Sequence, residues 1–235
     1  MRLDKYLSDI SVGTRSECKK YIRNGAVTIN GAVEKDPGAT VFANDVVCFR
    51  GQIVERKEHL YYMFHKPAGC VSATEDAKEK TVLSYFPPEL RKRLLIAGRL
   101  DKDTEGFLLL TDDGAFVHRI MHPKRHVKKT YYFEGKGRLS DHAEDLVKEG
   151  LDIGDETRTK PAALYDVTLD GDGFRGYLTI TEGRYHQVKR MIRALGGEVT
   201  YLKRTAIGNL SLDETLEKGS FRELTEEEFE EILQG

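Results

Sequence analysis

The sequence has no apolar run approaching the ~20 residues that a membrane-spanning helix requires, and its polar start, MRLDKYLSDI, does not read as an export signal. It also has little cysteine. Cys18, Cys48 and Cys70 are odd in number, far apart and without CxxC spacing, which fits buried thiols in a reducing compartment better than a disulfide framework. Three familiar catalytic signatures are missing: no G-x-x-x-x-G-K-[ST] phosphate loop, no G-x-S-x-G elbow and no H-E-x-x-H. No repeat with a period of roughly twenty to fifty residues is present. The expectation is a soluble protein of the cytoplasm, without a membrane partner.

What is present fits one large domain, or one small and one medium domain: 235 residues, 39% hydrophobic and 32% charged. The formal net charge of −2 is unevenly spread. Residues 211–235 hold nine acids against Lys218 and Arg222, a net of −7, so the preceding residues carry +5. Much of that excess sits in two windows. From His118 to Lys129 there are five Lys or Arg, three histidines and no acid; from Arg184 to Arg204 there are six basic residues and only Glu198 against them. Local basic faces of this kind suit a polyanion, although they also suit plain solvation.

The stretch GRLDKDTEGFLLLTDDG, residues 98–114, sets Asp101, Asp103 and Glu105 at alternate positions and follows them with Gly106. The start resembles a calcium loop, but Leu109 and Asp112 fall where that loop needs an oxygen donor and a bidentate Glu. FLLLTDDG reads as a buried strand ending in a turn, not as the second helix. His118, His122 and His126 are spaced by four, yet Pro123 interrupts the helix that would align them, and no metal site is expected.

Residues 1–57 read as one small unit. Thr14-Arg-Ser-Glu17 is a capping box that starts a helix, and Asn24-Gly25 ends it. Arg15, Lys19 and Arg23 recur every four residues on that helix, with Lys20 beside them, while Cys18 and Ile22 face elsewhere. AVTINGAV is a hairpin turning on Asn30-Gly31. A basic helix followed by a hairpin resembles the small RNA-binding domain shared by a small-subunit ribosomal protein and many RNA-modifying enzymes. The resemblance implies that Arg15, Lys19, Lys20 and Arg23 meet phosphates, which position RNA without reading its sequence. GQIVERKEH, residues 51–59, is the expected linker.

Residues 58–235 mix strand and helix patterns irregularly. YYMFHKPAG, KKTYYFEG, AALYDVTL and GYLTITEG read as strands; DHAEDLVKEGL reads as a helix, as does the chain from Gln187 to a Gly196-Gly197 stop. The expected class is α+β, a small N-terminal domain followed by a larger one with a mainly antiparallel mixed sheet flanked by helices. TEEEFEEIL near the C-terminus reads as a solvated helix with Leu224, Phe229 and Ile232 or Leu233 turned inward.

Taken in order, YYMFHKPAGCVSAT, GRLDKDTEGFLLLTDDG, KKTY, EGRYHQVKRM and LKRTAIGNLSL resemble the pseudouridine synthases, in the branch that modifies ribosomal RNA and carries the small RNA-binding domain. Phe64-His65-Lys66-Pro67 stands where that family more often has Leu-Asn-Lys-Pro. The YHQVKRM wording is most similar to the small-subunit enzymes, which implies a uridine of small-subunit ribosomal RNA as the target.

By this resemblance Asp101 is the catalytic aspartate, Tyr131 the active-site tyrosine and Lys189 its basic partner. The implied reaction breaks C1′–N1, turns the uracil and joins C5 to C1′. It has no net redox change and needs no cofactor. The aspartate attacks C6, attacks C1′ or promotes loss of the 2′ proton, three routes that the sequence leaves open. In each, burial beside an uncharged base disfavours the carboxylate and a cation offsets that cost. Arg99 would aim the turn or fill the space left by an extruded base. Lys124, Arg125, Lys128, Arg184 and Arg190 would hold the RNA backbone, and Asp103 and Glu105 would be solvated turn residues. A monomer is expected. The rival readings are a large-subunit enzyme and a non-catalytic ribosome-assembly factor.

Overall fold

The computed structural model describes residues 1–10, 12–42, 44–55, 59–122 and 125–234. The chain divides into two compact units, Met1–Glu58 and His59–Gly235. The first contains α1 (Leu3–Asp9), α2 (Arg15–Arg23) and a four-stranded antiparallel sheet of β1 (Val27–Ile29), β2 (Ala32–Val33), β3 (Val47–Phe49) and β4 (Gln52–Ile53), ordered β2-β1-β3-β4. The Thr14–Glu17 capping box is formed in both directions. Asn30 and Gly31 both take positive φ, +53° and +83°, as a type I′ hairpin requires. Leu3, Leu7, Cys18, Ile22, Val27 and Val47 make its core. One expectation fails here: Gln52 and Ile53, read as linker, form the edge strand β4, because the hairpin with β3 satisfies their backbone groups. Of the remainder of that expected linker, residues 56–58 lie outside the described residues.

The basic stripe on α2 is partly internal. Arg15 and Lys19 approach Asp4, at 3.3 and 3.9 Å, and Arg2 joins them at 3.1 Å. Burial acts to raise the pKa of Asp4, but the hydrogen bonds of Arg2 and Arg15 outweigh it and hold the carboxyl at about 2. Lys20 and Arg23 stand exposed.

The second unit contains β5 (Tyr61–Lys66), a 3-10 turn (Val82–Tyr85), α3 (Pro88–Arg91), β6 (Leu95–Ala97), β7 (Glu105–Thr111), α4 (Gly114–Met121), β8 (Lys129–Gly137) and α5 (Ala143–Glu149). It continues with β9 (Ala163–Asp170), β10 (Gly173–Ile180), α6 (Gln187–Ala194), β11 (Gly197–Ile207), β12 (Leu210–Ser211), β13 (Phe221–Glu223) and α7 (Glu226–Leu233). The strands form one sheet in the order β13-β5-β7-β11-β8-β10-β9, with β6 added to β7 and β12 to β11. The β7–β11 pair is parallel and the other pairs are antiparallel.

Both faces of β7 are covered. Leu108 and Leu110 pack with Phe133 and with Val188 and Met191 of α6, whereas Phe107 and Leu109 pack with Phe116 of α4 and Ile232 of α7. A strand buried on both sides reads as a continuous apolar run, which is why FLLL lacks alternation. Each of these leucines contributes roughly 2 kcal/mol by leaving water. The result is a rigid floor whose N-terminal end, at Glu105, abuts the acid-rich turn.

Candidate active site

The turn between β6 and β7 is clamped before any of its acids is placed. Lys66, the wholly buried last residue of β5, donates from Nζ to the carbonyls of Thr104 (2.8 Å), Asp101 (3.0 Å), Pro67 (3.1 Å) and Lys102 (3.3 Å). Burial lowers the pKa of this ammonium, and the carbonyl dipoles stand in for its lost water. Ser72 takes both polar backbone atoms of Leu100: its Oγ donates to the carbonyl at 2.8 Å and accepts from the N–H at 3.0 Å. Gly106 has φ +104°, and a Cβ there would collide with the backbone of Arg204, its partner across the parallel β7–β11 pair. The glycine after the acids is therefore a strand contact.

Asp101 emerges from this clamp with its carboxylate 29% exposed, so in the protein alone it is less enclosed than the sequence led one to expect. Its Oδ2 lies 3.5 Å from Lys189 Nζ and its Oδ1 3.6 Å from His186 Nε2. Lys189, on α6, is held more tightly by Asp103, donating to both carboxylate oxygens at 2.6 and 2.8 Å. Asp103 is thus not merely a solvated turn residue. Burial works to raise its pKa, but the Lys189 hydrogen bond and charge prevail and leave it below the usual carboxylate range. Glu105 is also not at the surface. It is buried at the start of β7, accepts from Tyr201 Oη at 2.7 Å and pairs with Lys218 at 2.7 Å. Asp101 and Asp103 thus share Lys189, whereas Glu105, the first residue of β7, is held apart by Tyr201 and Lys218. Among the described residues no group of three His, Cys, Asp or Glu side chains gathers to hold a metal.

A cavity of about 580 Å³ opens beside Asp101, lined also by Arg99, Lys129, Tyr131, His186 and Arg204. Tyr131 on β8 is 7% exposed and lies directly across from Arg204 on β11. Arg204 is buried: Nε donates to Phe107 O at 2.7 Å, Nη1 reaches Tyr131 Oη at 3.4 Å, and Nη2 has no hydrogen-bond partner. Burial first, and the Arg204 charge second, push the Lys129 ammonium down to about 8. The cavity thus offers a phenol ring, a carboxylate at one side and two inward cations. That set suits a flat, neutral, oxygen-bearing ring.

The other expected RNA contacts divide. Arg99, Arg125 and Lys128 are exposed, with Arg99 at the cavity, whereas Lys124 lies outside the described residues. Arg184 and Arg190 are largely committed within the protein. Arg184 donates to the carbonyls of Thr157 (2.6 Å) and Arg158 (2.7 Å) and pairs with Glu182 and Asp155. Arg190 donates to Ile153 O, Tyr185 O and Asp155. They brace the loop before α6 because Asp155 and the carbonyls of 153–158 fold back against it, a contact no local pattern announces. Lys66, Arg204 and His186 were not anticipated as site residues. A lysine ending the apolar run YYMFH was a usable signal for the first; the second lay unmarked within a basic window.

This geometry belongs with a known class. The chain is a member of the RNA pseudouridylate synthase family, whose model matches residues 60–194, and residues 1–47 match the S4 domain. It is a pseudouridine synthase, an isomerase. Among its relatives, the uncharacterized RNA pseudouridine synthase YtzG of Bacillus subtilis (strain 168) is 46% identical over 97% of this chain and 96% of its own. The ribosomal small subunit pseudouridine synthase A of Haemophilus influenzae is 41% identical over 99% of this chain and 100% of its own. A crystal structure of a pseudouridylate synthase, also 41% identical, covers 99% of both chains with a TM-score of 0.69.

Proposed function

We propose that this protein converts a uridine of small-subunit ribosomal RNA to pseudouridine in the cytoplasm, with Asp101 as the catalytic group and no cofactor. The observation that carries the reading is the carboxylate of Asp101 beside the cavity of Tyr131, reached at 3.5 Å by Lys189. The relatives named as small-subunit enzymes, similar over nearly the whole chain, support the choice of RNA.

In this scheme the target uracil leaves the RNA stack and lies against Tyr131, whose hydroxyl sits near C5. Asp101 acts on the ring or sugar while Lys189, anchored on Asp103, keeps the carboxylate oriented. Lys66 and Ser72 hold the backbone of the turn, so little reorganisation accompanies the reaction. Arg204 and Lys129 place donors where uracil oxygens would come to rest. The new C5–C1′ bond forms as C5 gives up its proton and N1 gains one, which balances the isomerisation. Residues 1–57 add phosphate contacts through Lys20 and Arg23, and residues 58–235 carry the chemistry.

The test uses small- and large-subunit ribosomal RNA tritiated at uracil C5, with label released to water as the readout. Release from small-subunit RNA is expected, and it should vanish in Asp101→Asn while RNA affinity stays within about twofold. Release from large-subunit RNA alone would overturn the substrate, and full activity of Asp101→Asn would overturn the catalyst.

A further inference from the structure

We propose that Tyr185, laid flat on His186 at the edge of the cavity, is a stacking platform for the unpaired nucleobase next in the strand to the target uridine. The proposal rests on the RNA-modifying reading above and adds a second base site to it. Exposure alone carries little, since single exposed apolar side chains are ordinary on protein surfaces. What distinguishes Tyr185 is that a ring 76% open to solvent is nonetheless held in place. Its centroid is 3.8 Å from that of His186 and the two planes differ by only 18°. One face of the tyrosine is thereby covered and the pair presents a flat surface.

The support beneath this stack is built in. His186 has φ +48° and ψ 35°, a left-handed conformation uncommon for a residue with a side chain, just before α6 begins. The neighbouring backbone is fixed on both sides: Arg184 N donates to Gln187 Oε1 at 2.9 Å, and Arg190 Nη1 donates to Tyr185 O at 3.2 Å. Arg190 is itself tied to Asp155. Strain kept in place by several such bonds is characteristic of functional positions. The position is equally specific, because His186 Nε2 lies 3.6 Å from Asp101 Oδ1. The stack therefore stands one ring away from the candidate reacting carboxylate.

A nucleobase matches this surface best. It has two flat faces, and aromatic side chains bind unpaired bases by stacking with little demand on sequence. Its phosphates would meet the cations nearby, of which Arg99 is exposed at the cavity. The target uracil does not compete for the place, since it belongs with the enclosed Tyr131. Extruding one base from a strand unstacks its neighbour, and Tyr185 offers that neighbour a replacement surface.

The test uses the full chain and a small-subunit RNA fragment carrying the uridine that the wild-type protein converts, with an abasic site placed 5′ or 3′ to it. Tyr185→Ala should lower kcat/KM by about 5- to 150-fold on intact RNA, the range that one base–aromatic stack spans, whereas Tyr185→Phe should stay within about twofold. One of the abasic sites should impose a similar loss on wild type and little further loss on Tyr185→Ala. Losses that multiply at both positions would overturn the platform, as would an equal defect in Tyr185→Phe.

Binding separates this idea from the catalytic one. With 2-aminopurine at the neighbouring position, Asp101→Asn protein should quench its fluorescence, and Asp101→Asn/Tyr185→Ala should not. Tight binding without quenching at either neighbour rejects the platform alone. Quenching with no tritium release by the wild type rejects the catalytic reading and leaves the platform standing; failure to bind RNA rejects both.

Discussion

In the first unit, Lys20 and Arg23 project from α2 into water, whereas in the second unit Arg184 and Arg190 spend most of their donors on carbonyls and Asp155. Both sets look alike in sequence, as basic residues in basic windows. Their physical roles differ. A solvated cation can exchange water and counterions for a phosphate at little cost, while a cation already bonded to buried or half-buried acceptors must leave them unpaired to do the same. The α2 stripe even contains the transition within itself, since Arg15 and Lys19 lean on the buried Asp4 and their neighbours do not. Charge density in a sequence thus measures a capacity for polyanion binding, and the fold decides how much of it is left over.

The strongest way to press this contrast is at Lys66, a cation spent wholly on structure. Lys66→Met removes a buried donor that four carbonyls share, of which Asp101 O and Lys102 O keep the backbone N–H groups of Thr104 and Gly69, and a loss of about 3 kcal/mol in urea unfolding is expected. Turnover should fall with it as the Asp101 turn slackens. Unchanged stability would mean that the carbonyls find other donors and that the clamp is dispensable.

Gly106→Ala comes next. The new methyl meets the Arg204 backbone at a φ of +104°, so a cost of about 2–4 kcal/mol should appear as a lowered unfolding midpoint. A neutral effect would show that β7 and β11 can separate there.

Arg190→Ala tests the brace itself, with about 1–3 kcal/mol lost from stability. It should raise KM for RNA without altering the slope of binding against salt concentration. A shallower slope would return Arg190 to the phosphate-binding set.

A milder effect is expected in acid. The carboxyl of Asp4 titrates in the folded state at about 2, below its ordinary 3.8, because Arg2 and Arg15 outweigh burial. Its contribution to stability is therefore complete above about pH 3.8 and disappears as pH falls through about 2. Asp4→Asn should remove that part of the pH dependence of α2 unfolding, followed by amide exchange in residues 15–23; an identical acid profile in the variant would refute the assignment.

The smallest change belongs to the exposed pair. Lys20→Ala and Arg23→Ala should each leave thermal stability unchanged and reduce the salt slope of RNA binding by about 1. An altered melting temperature would place them with Arg184 instead.

Much of the local structure could be read before folding was considered. Thr14-Arg-Ser-Glu17 caps a helix and Asn30-Gly31 turns a hairpin because those preferences are contained within a few residues. Asp101, Tyr131 and Lys189 could be named from long ordered motifs, and the fold does bring them to one place. Gln52 and Ile53 were misread because a two-residue edge strand has too little pattern of its own. Glu105 was misread for a different reason, its partner Lys218 being 113 positions away along the chain; Asp103 is exposed as expected, but its bond to Lys189, 86 positions away, was not legible.

The sequence by itself determined the class of fold, the caps and turns, the buried strand β7 and the family of chemistry, since each depends on short-range conformational preference, periodicity or contiguous motif. Only the tertiary structure decided which charges remain available and which are consumed. It paired Lys66 with the turn of Asp101, set Arg204 against Tyr131, locked Arg184 and Arg190 to residues 153–158 and laid Tyr185 on His186. Hydrogen bonds and desolvation act over a few ångströms in space, and distance along the chain says little about which groups will meet there.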